Sequence, residues 1–343
     1  MVPEPPPIQA LPKLRVRSPL MATLAVALPV AFLLMCGLKL RGCMTEHSRQ
    51  SHYDFTFDMS PDGRTLVFAG VGQGGRDLYL FDLKSRRVSS LTATRDYEIC
   101  PSFSHDGKRL VFTRGTPGVR ADQLCVMDLA TREVRQITDA DENVTNPAFF
   151  PDGWRVLCTI ETEYRWGGLA SSWNESGELR VVDLQTGKQE AVITPKVNVS
   201  GPRFSADGKW IAWSGWREGA DGGVYISPAT DPNHAAKVLP PVSSLALNAD
   251  GTKIVFSEGD YSSDHKIYIS DRLGKNRRLI SGSEVGCFDP VFSPNGKHVY
   301  FSSETSFTGG TGKTLMRSST AGDEVIQIAP YTLFENPLGP ESF

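Results

Sequence analysis

Apolar and polar residues alternate in short runs along most of this chain, and the runs recur in fixed register with a glycine. The clearest example is Pro290-Val291-Phe292-Ser293-Pro294-Asn295-Gly296-Lys297-His298-Val299-Tyr300-Phe301. The same setting returns around Gly63, Gly107, Gly153, Gly208, Gly251 and Gly296, at intervals of about 43 to 46 residues with one of about 55. Four residues before each glycine stands an apolar side chain: Met59, Phe103, Phe149, Phe204, Leu247 or Phe292. Three after it comes Leu66, Leu110, Val156, Ile211, Ile254 or Val299, and five after it Phe68, Phe112, Cys158, Trp213, Phe256 or Phe301. Period-two alternation on both sides of an Asp-Gly or Asn-Gly pair predicts two strands joined by a tight hairpin, the glycine supplying positive φ. Proline precedes the first strand's apolar residue in four copies, at Pro101, Pro147, Pro202 and Pro290.

A third apolar run follows in most copies, as in Leu78-Tyr79-Leu80-Phe81-Asp82-Leu83 and Leu124-Cys125-Val126-Met127-Asp128-Leu129. A polar turn then leads to a short fourth run, such as Val88 to Thr92 or Val325 to Ala329. Four strands per repeat, six times over, predict an all-β fold: a six-bladed β-propeller of four-stranded antiparallel blades. One blade cannot bury both faces alone, and a ring of blades covers each face with a neighbour.

The pattern Ser-Pro-Asp-Gly-x-x-aliphatic-x-Phe, then Leu-Tyr-x-x-Asp-Leu, then Leu-Thr resembles the TolB-type propeller repeat, from about Tyr53 to Pro330. Related blades occur in TolB, in the non-catalytic domain of prolyl oligopeptidases and in some polysaccharide lyases. The resemblance is specific for fold and implies a setting in the bacterial envelope.

Ahead of the repeats, Leu20 to Leu38 carries no charge, and about 19 apolar residues suffice to cross a bilayer as a helix. The expected organisation is a disordered, Pro-rich tail (1–18), a transmembrane signal-anchor helix (19–39), a linker (40–52), the propeller (53–333) and a C-terminal tail (334–343). Lys13, Arg15 and Arg17 before the span lean slightly toward an inside N-terminus. That places the propeller in the periplasm or outside the cell. A lipoprotein is the alternative, although Met35 before Cys36 and Arg41-Gly42 before Cys43 fit lipidation poorly. The tail echoes the opening of a seventh repeat at Glu335-Asn336-Pro337 and is expected to lie across the first blade or end the sixth.

The formal charge of −3 argues against a nucleic-acid partner. Six cysteines, at Cys36, Cys43, Cys100, Cys125, Cys158 and Cys287, show no CxxC spacing and read as buried free thiols, with an inter-blade disulfide or a zinc site the weaker options. Variable loops on a rigid frame are where recognition concentrates, so the long second-to-third loops, among them 161–178, 215–223 and 303–313, mark the candidate binding face. Its richest part is Tyr164, Arg165, Trp166 and Trp173, with Trp216 and Arg217 on the next blade, residue types that dominate binding hot spots. Connections between blades add Tyr97, Glu98, Asn146 and Asp289 near the channel mouth. For each of these, local packing or a solvated loop is the plainer alternative.

No catalytic residues are assigned and no cofactor or metal is expected. There is no Gly-x-Ser-x-Gly elbow, and Gly309-Gly310-Thr311-Gly312-Lys313-Thr314 lacks the first glycine and following helix of a phosphate loop. It reads as a flexible hairpin loop. The expected function is a membrane-anchored, extracytoplasmic scaffold binding a protein or peptide. The alternative is a propeller enzyme, a lyase, hydrolase or lactonase, acting on a sugar or lactone with a cation at the channel mouth.

Overall fold

The computed structural model describes residues 56–72, 75–117, 121–139, 141–165, 174–193, 197–217, 222–259, 264–284, 286–307, 310–330 and 332–338. The expected membrane span at 19–39 and both N-terminal cysteines lie outside them. Among the described residues no helix is long and apolar enough to cross a membrane.

These residues form 24 strands arranged as six four-stranded antiparallel units. The first contains β1 (Phe57–Met59), β2 (Thr65–Val71), β3 (Arg76–Asp82) and β4 (Val88–Ser90). The second contains β5 (Tyr97–Phe103), β6 (Arg109–Gly115), β7 (Asp122–Asp128) and β8 (Val134–Gln136). The third contains β9 (Asn143–Phe149), β10 (Arg155–Arg165), β11 (Asn174–Asp183) and β12 (Gln189–Ile193). The fourth contains β13 (Val197–Phe204), β14 (Trp210–Arg217), β15 (Gly223–Pro228) and β16 (Ala236–Leu239). The fifth contains β17 (Ser244–Leu247), β18 (Lys253–Glu258), β19 (Lys266–Asp271) and β20 (Arg278–Leu279). The sixth contains β21 (Cys287–Phe292), β22 (His298–Phe307), β23 (Gly310–Ser319) and β24 (Val325–Ala329). A single parallel bridge, Arg76 to Tyr97, joins the first two units into one sheet.

Local chemistry fixes each unit. In the first hairpin Ser60 Oγ donates to Asp62 Oδ1 at 2.6 Å, Arg64 N donates to the same oxygen at 3.0 Å, and Thr65 N donates to Ser60 Oγ at 2.9 Å. The arrangement recurs at Ser104 with Asp106, Ser205 with Asp207, and Ser293 with Asn295. These side chains hold a tight turn whose glycine sits at φ +66 to +72 in all six copies. A recurring aliphatic-Thr pair, Leu91-Thr92 and Ile137-Thr138, closes the other end: Thr92 Oγ1 accepts from Leu78 N at 2.8 Å, and Thr138 Oγ1 from Leu124 N at 3.0 Å.

Strand alternation then decides which neighbour each side chain meets. Leu110 and Phe112 on β6 pack into a cluster with the first unit, through Val67, Ala69 and Leu78. Val111, between them, faces the third unit with Val144, Phe149 and Cys158. The same rule runs through the clusters joining units three and four, four and five, and five and six. It closes on the first unit: Tyr300, Leu315 and Ile328 of the sixth share a core with Phe57, Leu66 and Phe68. A short helix, α1 (Thr332–Glu335), caps this closing interface, with Phe334 edge-on to Phe68 at 5.4 Å between ring centroids. The C-terminal segment, expected to lie across the first unit or to end the sixth, places Phe334 in the core that the two share. Arg86 Nη1 of the first unit also donates to the Ile328 carbonyl.

Candidate functional site

The innermost strand of each unit carries proline or its substitute six residues before the hairpin glycine. Proline has no N–H for the ladder, so pairing must break there. The register shifts between Ile99 and Ser102, between Ser200 and Arg203, and between Phe288 and Val291. The residue before each proline turns left-handed: Cys100 at φ +54, Asn146 at +50, Gly201 at +60 and Asp289 at +53. Asn, Asp and Gly tolerate this region best. The turned residue can then reach its neighbour: Cys100 N donates to Thr56 Oγ1 at 2.9 Å, and Asp289 N donates to Ser244 Oγ at 3.0 Å. Thr56 and Ser244 hold the equivalent position in units that lack the proline.

These strands surround a cavity of about 360 Å³ lined from all six units. Its polar groups are few. Asp58 accepts from Met59 N and Phe103 N at 2.8 and 2.9 Å and from Ser102 Oγ at 3.2 Å. Burial nevertheless raises its pKa above the ordinary carboxylate value, those hydrogen bonds and the Arg203 charge opposing the shift. Burial raises Asp289 in the same way against the charges of Lys313 and Arg203. Arg203, on the fourth unit, thus acts on groups of the first, second and sixth units across the cavity. Burial also lowers the pKa of His105, which keeps it uncharged over a wider pH range.

The structure separates the residues predicted to bind. Glu98 is fully buried and holds Arg114, Oε1 accepting from Nη2 at 2.7 Å and from Nε at 3.0 Å. It is withdrawn from any rim, and desolvation is the first cause of its raised pKa. Tyr97 is half-buried at the bridge between the first two units. Asn146 and Asp289, expected in connections between blades, stand instead within β9 and β21, each just before the strand's proline, and Asn146 lines the cavity. Trp166 and Trp173 lie outside the described residues, as do the side chains of Tyr164, Arg165, Trp216 and Arg217. Their backbones are informative. Tyr164 pairs with Glu175 and Arg165 with Asn174, while Trp216 pairs with Asn198 and Arg217 with Val197.

The long loops of the sequence reading are therefore largely extended hairpins. The stretch 161–178 belongs to β10 and β11 except for 166–173. The stretch 303–313 is mostly β22 and β23, so Gly310 to Thr314 is strand and not the flexible loop expected. Thr, Tyr and Phe suit a pleated ladder, and nothing in their polarity signals where pairing ends. Arg203 and Asp58 were not singled out from sequence. Their signal was positional, since both stand five residues before a hairpin glycine where the other units carry Ser, Ala or Val.

Cys100, Cys125, Cys158 and Cys287 are free and buried, as the spacing implied. Among the described residues no group of three His, Cys, Asp or Glu side chains is placed to hold a metal ion. The acidic stretch before β9 is engaged by the protein itself: Glu142 pairs with Arg180 at 2.9 Å, and Asn143 Oδ1 accepts from Asp122 N at 2.8 Å.

Residues 47–164 match the family described as the TolB beta propeller domain. The uncharacterized peptidase YuxL of Bacillus subtilis is 27% identical, over 40% of this chain and 25% of that protein. A protein TolB homolog of Chlorobium chlorochromatii is 28% identical, over 44% of this chain and 31% of its own. The chain thus spans about a quarter to a third of the curated relatives it matches. Among solved structures, TolB from Acinetobacter baumannii superposes with a TM-score of 0.60 at 20% identity, covering 78% of this chain and 64% of that one.

Proposed function

Because the chain is a member of the TolB-type β-propeller repeat family, we propose that it is a six-bladed propeller serving as a non-catalytic scaffold for a protein or peptide in the bacterial envelope. The observation that carries this reading is how the repeats use the chain. Each unit's large apolar residues are spent on its neighbours, through to the shared core between the sixth unit and the first. What faces outward is a frame with extended second-to-third hairpins on one side. The binding surface in this proposal is that hairpin rim, with Trp166, Trp173 and Trp216 as aromatic anchors and Tyr164, Arg165 and Arg217 around them. The uncharged run Leu20 to Leu38 supplies a membrane tether, which places the propeller on the periplasmic or outer side.

Crosslinking in intact cells with the N-terminal segment in place, followed by recovery of the captured protein, tests the scaffold reading. Trp166→Ala with Trp216→Ala should remove the captured partner while leaving the circular dichroism spectrum unchanged. Equal recovery from the double variant would count against the rim. One relative bears the name of a peptidase, so hydrolysis of peptide substrates by the purified full-length chain is the outcome that would replace a scaffold with an enzyme.

A further inference from the structure

The tunnel presents a mismatch of charge and hydrogen bonding that the scaffold reading does not use. Asn146 is about nine-tenths buried, at 6% exposure, and its Nδ2 donor has no partner although the residue lines the cavity. Arg203 lines the same cavity and spends Nη1 on the neighbouring Pro202 carbonyl at 3.0 Å. Among the described residues no carboxylate comes within ion-pair distance of its guanidinium. Unused donors in a sheltered site call for an acceptor, and a guanidinium with a nearby amide matches a carboxylate. A simple anion meets a second condition, because Asp58 lines the cavity too and Asp289 holds on β21 the position that Asn146 holds on β9. Arg203 acts on both carboxylates and Lys313 on Asp289, so two cations stand against two carboxylates, and a near-balanced site with donors at one point and carboxylates at another suits a ligand that carries both charges rather than a simple anion or amine.

We propose that the central tunnel is a binding site for a small zwitterion of the α-amino-acid type, its carboxylate on Arg203 and Asn146 and its ammonium toward Asp289 and Asp58. A cavity of about 360 Å³ lies at the small end of ligand pockets and has room for a single amino acid or a dipeptide. The left-handed bulges give the site its shape. They give Asn146 and Asp289 the same left-handed backbone, at φ +50 and +53, on the third and sixth units. This site is independent of the hairpin rim, so its failure would leave the scaffold reading standing.

The test is calorimetric titration of the full-length chain with glycine, lysine, glutamate and glycylglycine, and with acetate and methylamine as half-ligands. At least one zwitterion should bind saturably, and acetate and methylamine should each bind about tenfold or more weaker. The dipeptide arm separates a free amino acid from a peptide as the source. Arg203→Met should weaken binding by about ten- to a hundredfold, the loss expected for a charge-assisted contact. Asn146→Asp keeps the side chain's shape, suits the left-handed backbone and replaces the unused donor with an acceptor, so it should weaken binding comparably even if Arg203→Met does not fold. No saturable binding by any zwitterion, binding of acetate as tight as of glycine, or an Asn146→Asp chain that binds normally would each overturn the proposal.

Discussion

At the scale of single residues, burial sets the chemistry of the charged and sulfur-bearing side chains. Desolvation pushes the thiols of Cys100 and Cys125 up to about 11, and those of Cys158 and Cys287 to about 12. Thiolate is the reactive form, so these four should resist a maleimide at pH 8 and react once urea is added, as read by peptide mass mapping. Asp58 and Asp289 are raised by the same burial, so the folded chain holds their protons more tightly than the unfolded one does. Stability contributed by these groups therefore falls as pH rises above the ordinary carboxylate value. Asp289→Asn, which tolerates the left-handed backbone at φ +53, removes one of them. In urea titrations it should flatten the decline that sets in as pH rises above the ordinary carboxylate value. Glu98 and Arg114 show the cost of breaking a buried pair. Arg114→Met strands a carboxylate with no exposure and should cost about 3 kcal/mol or more, part of which Glu98→Gln should restore.

At the scale of strands and turns, the hairpin glycines share a backbone conformation but not their surroundings. A Cβ on Gly296, at φ +67, meets nothing within 4 Å, so Gly296→Ala should cost only about 1–2 kcal/mol for the left-handed backbone. A Cβ on Gly208 falls 1.7 Å from Pro151 Cγ on the preceding unit's turn. Gly208→Ala must also displace that ring and should lower the urea midpoint further than Gly296→Ala does. The hairpins were legible in sequence because their signal is local: an Asp-Gly pair between two alternating runs. So was each strand's two-sided burial, since Leu110, Val111 and Phe112 in succession leave no face for water. The length of the second-to-third hairpins was not legible. Glu163, Tyr164 and Arg165 continue pairing with Asn174 to Ser176 across a register shift, and cross-strand pairing leaves no mark in one strand's own composition. The tunnel was half legible. Asn146 and Asp289 stood out beside proline, but only the ring places Arg203 opposite Asp58.

At the scale of the whole molecule, the account rests on closure. Six clusters each join one unit to the next, and the last returns to the first with α1 as its cap. Phe334 is buried between the end units, so Phe334→Ala should cost about 3–5 kcal/mol, far more than a terminal residue of an open array would. Closure also makes the first and sixth units one cooperative body, whereas an open stack would fray from its ends. Native-state hydrogen exchange on the full-length chain reads this most directly. If the ring is closed, amides of β2 and β24 exchange in the same opening event, and Phe334→Ala accelerates both together. If β24 and α1 exchange well before β2, and Phe334→Ala leaves β2 untouched, the first and last units do not share a core.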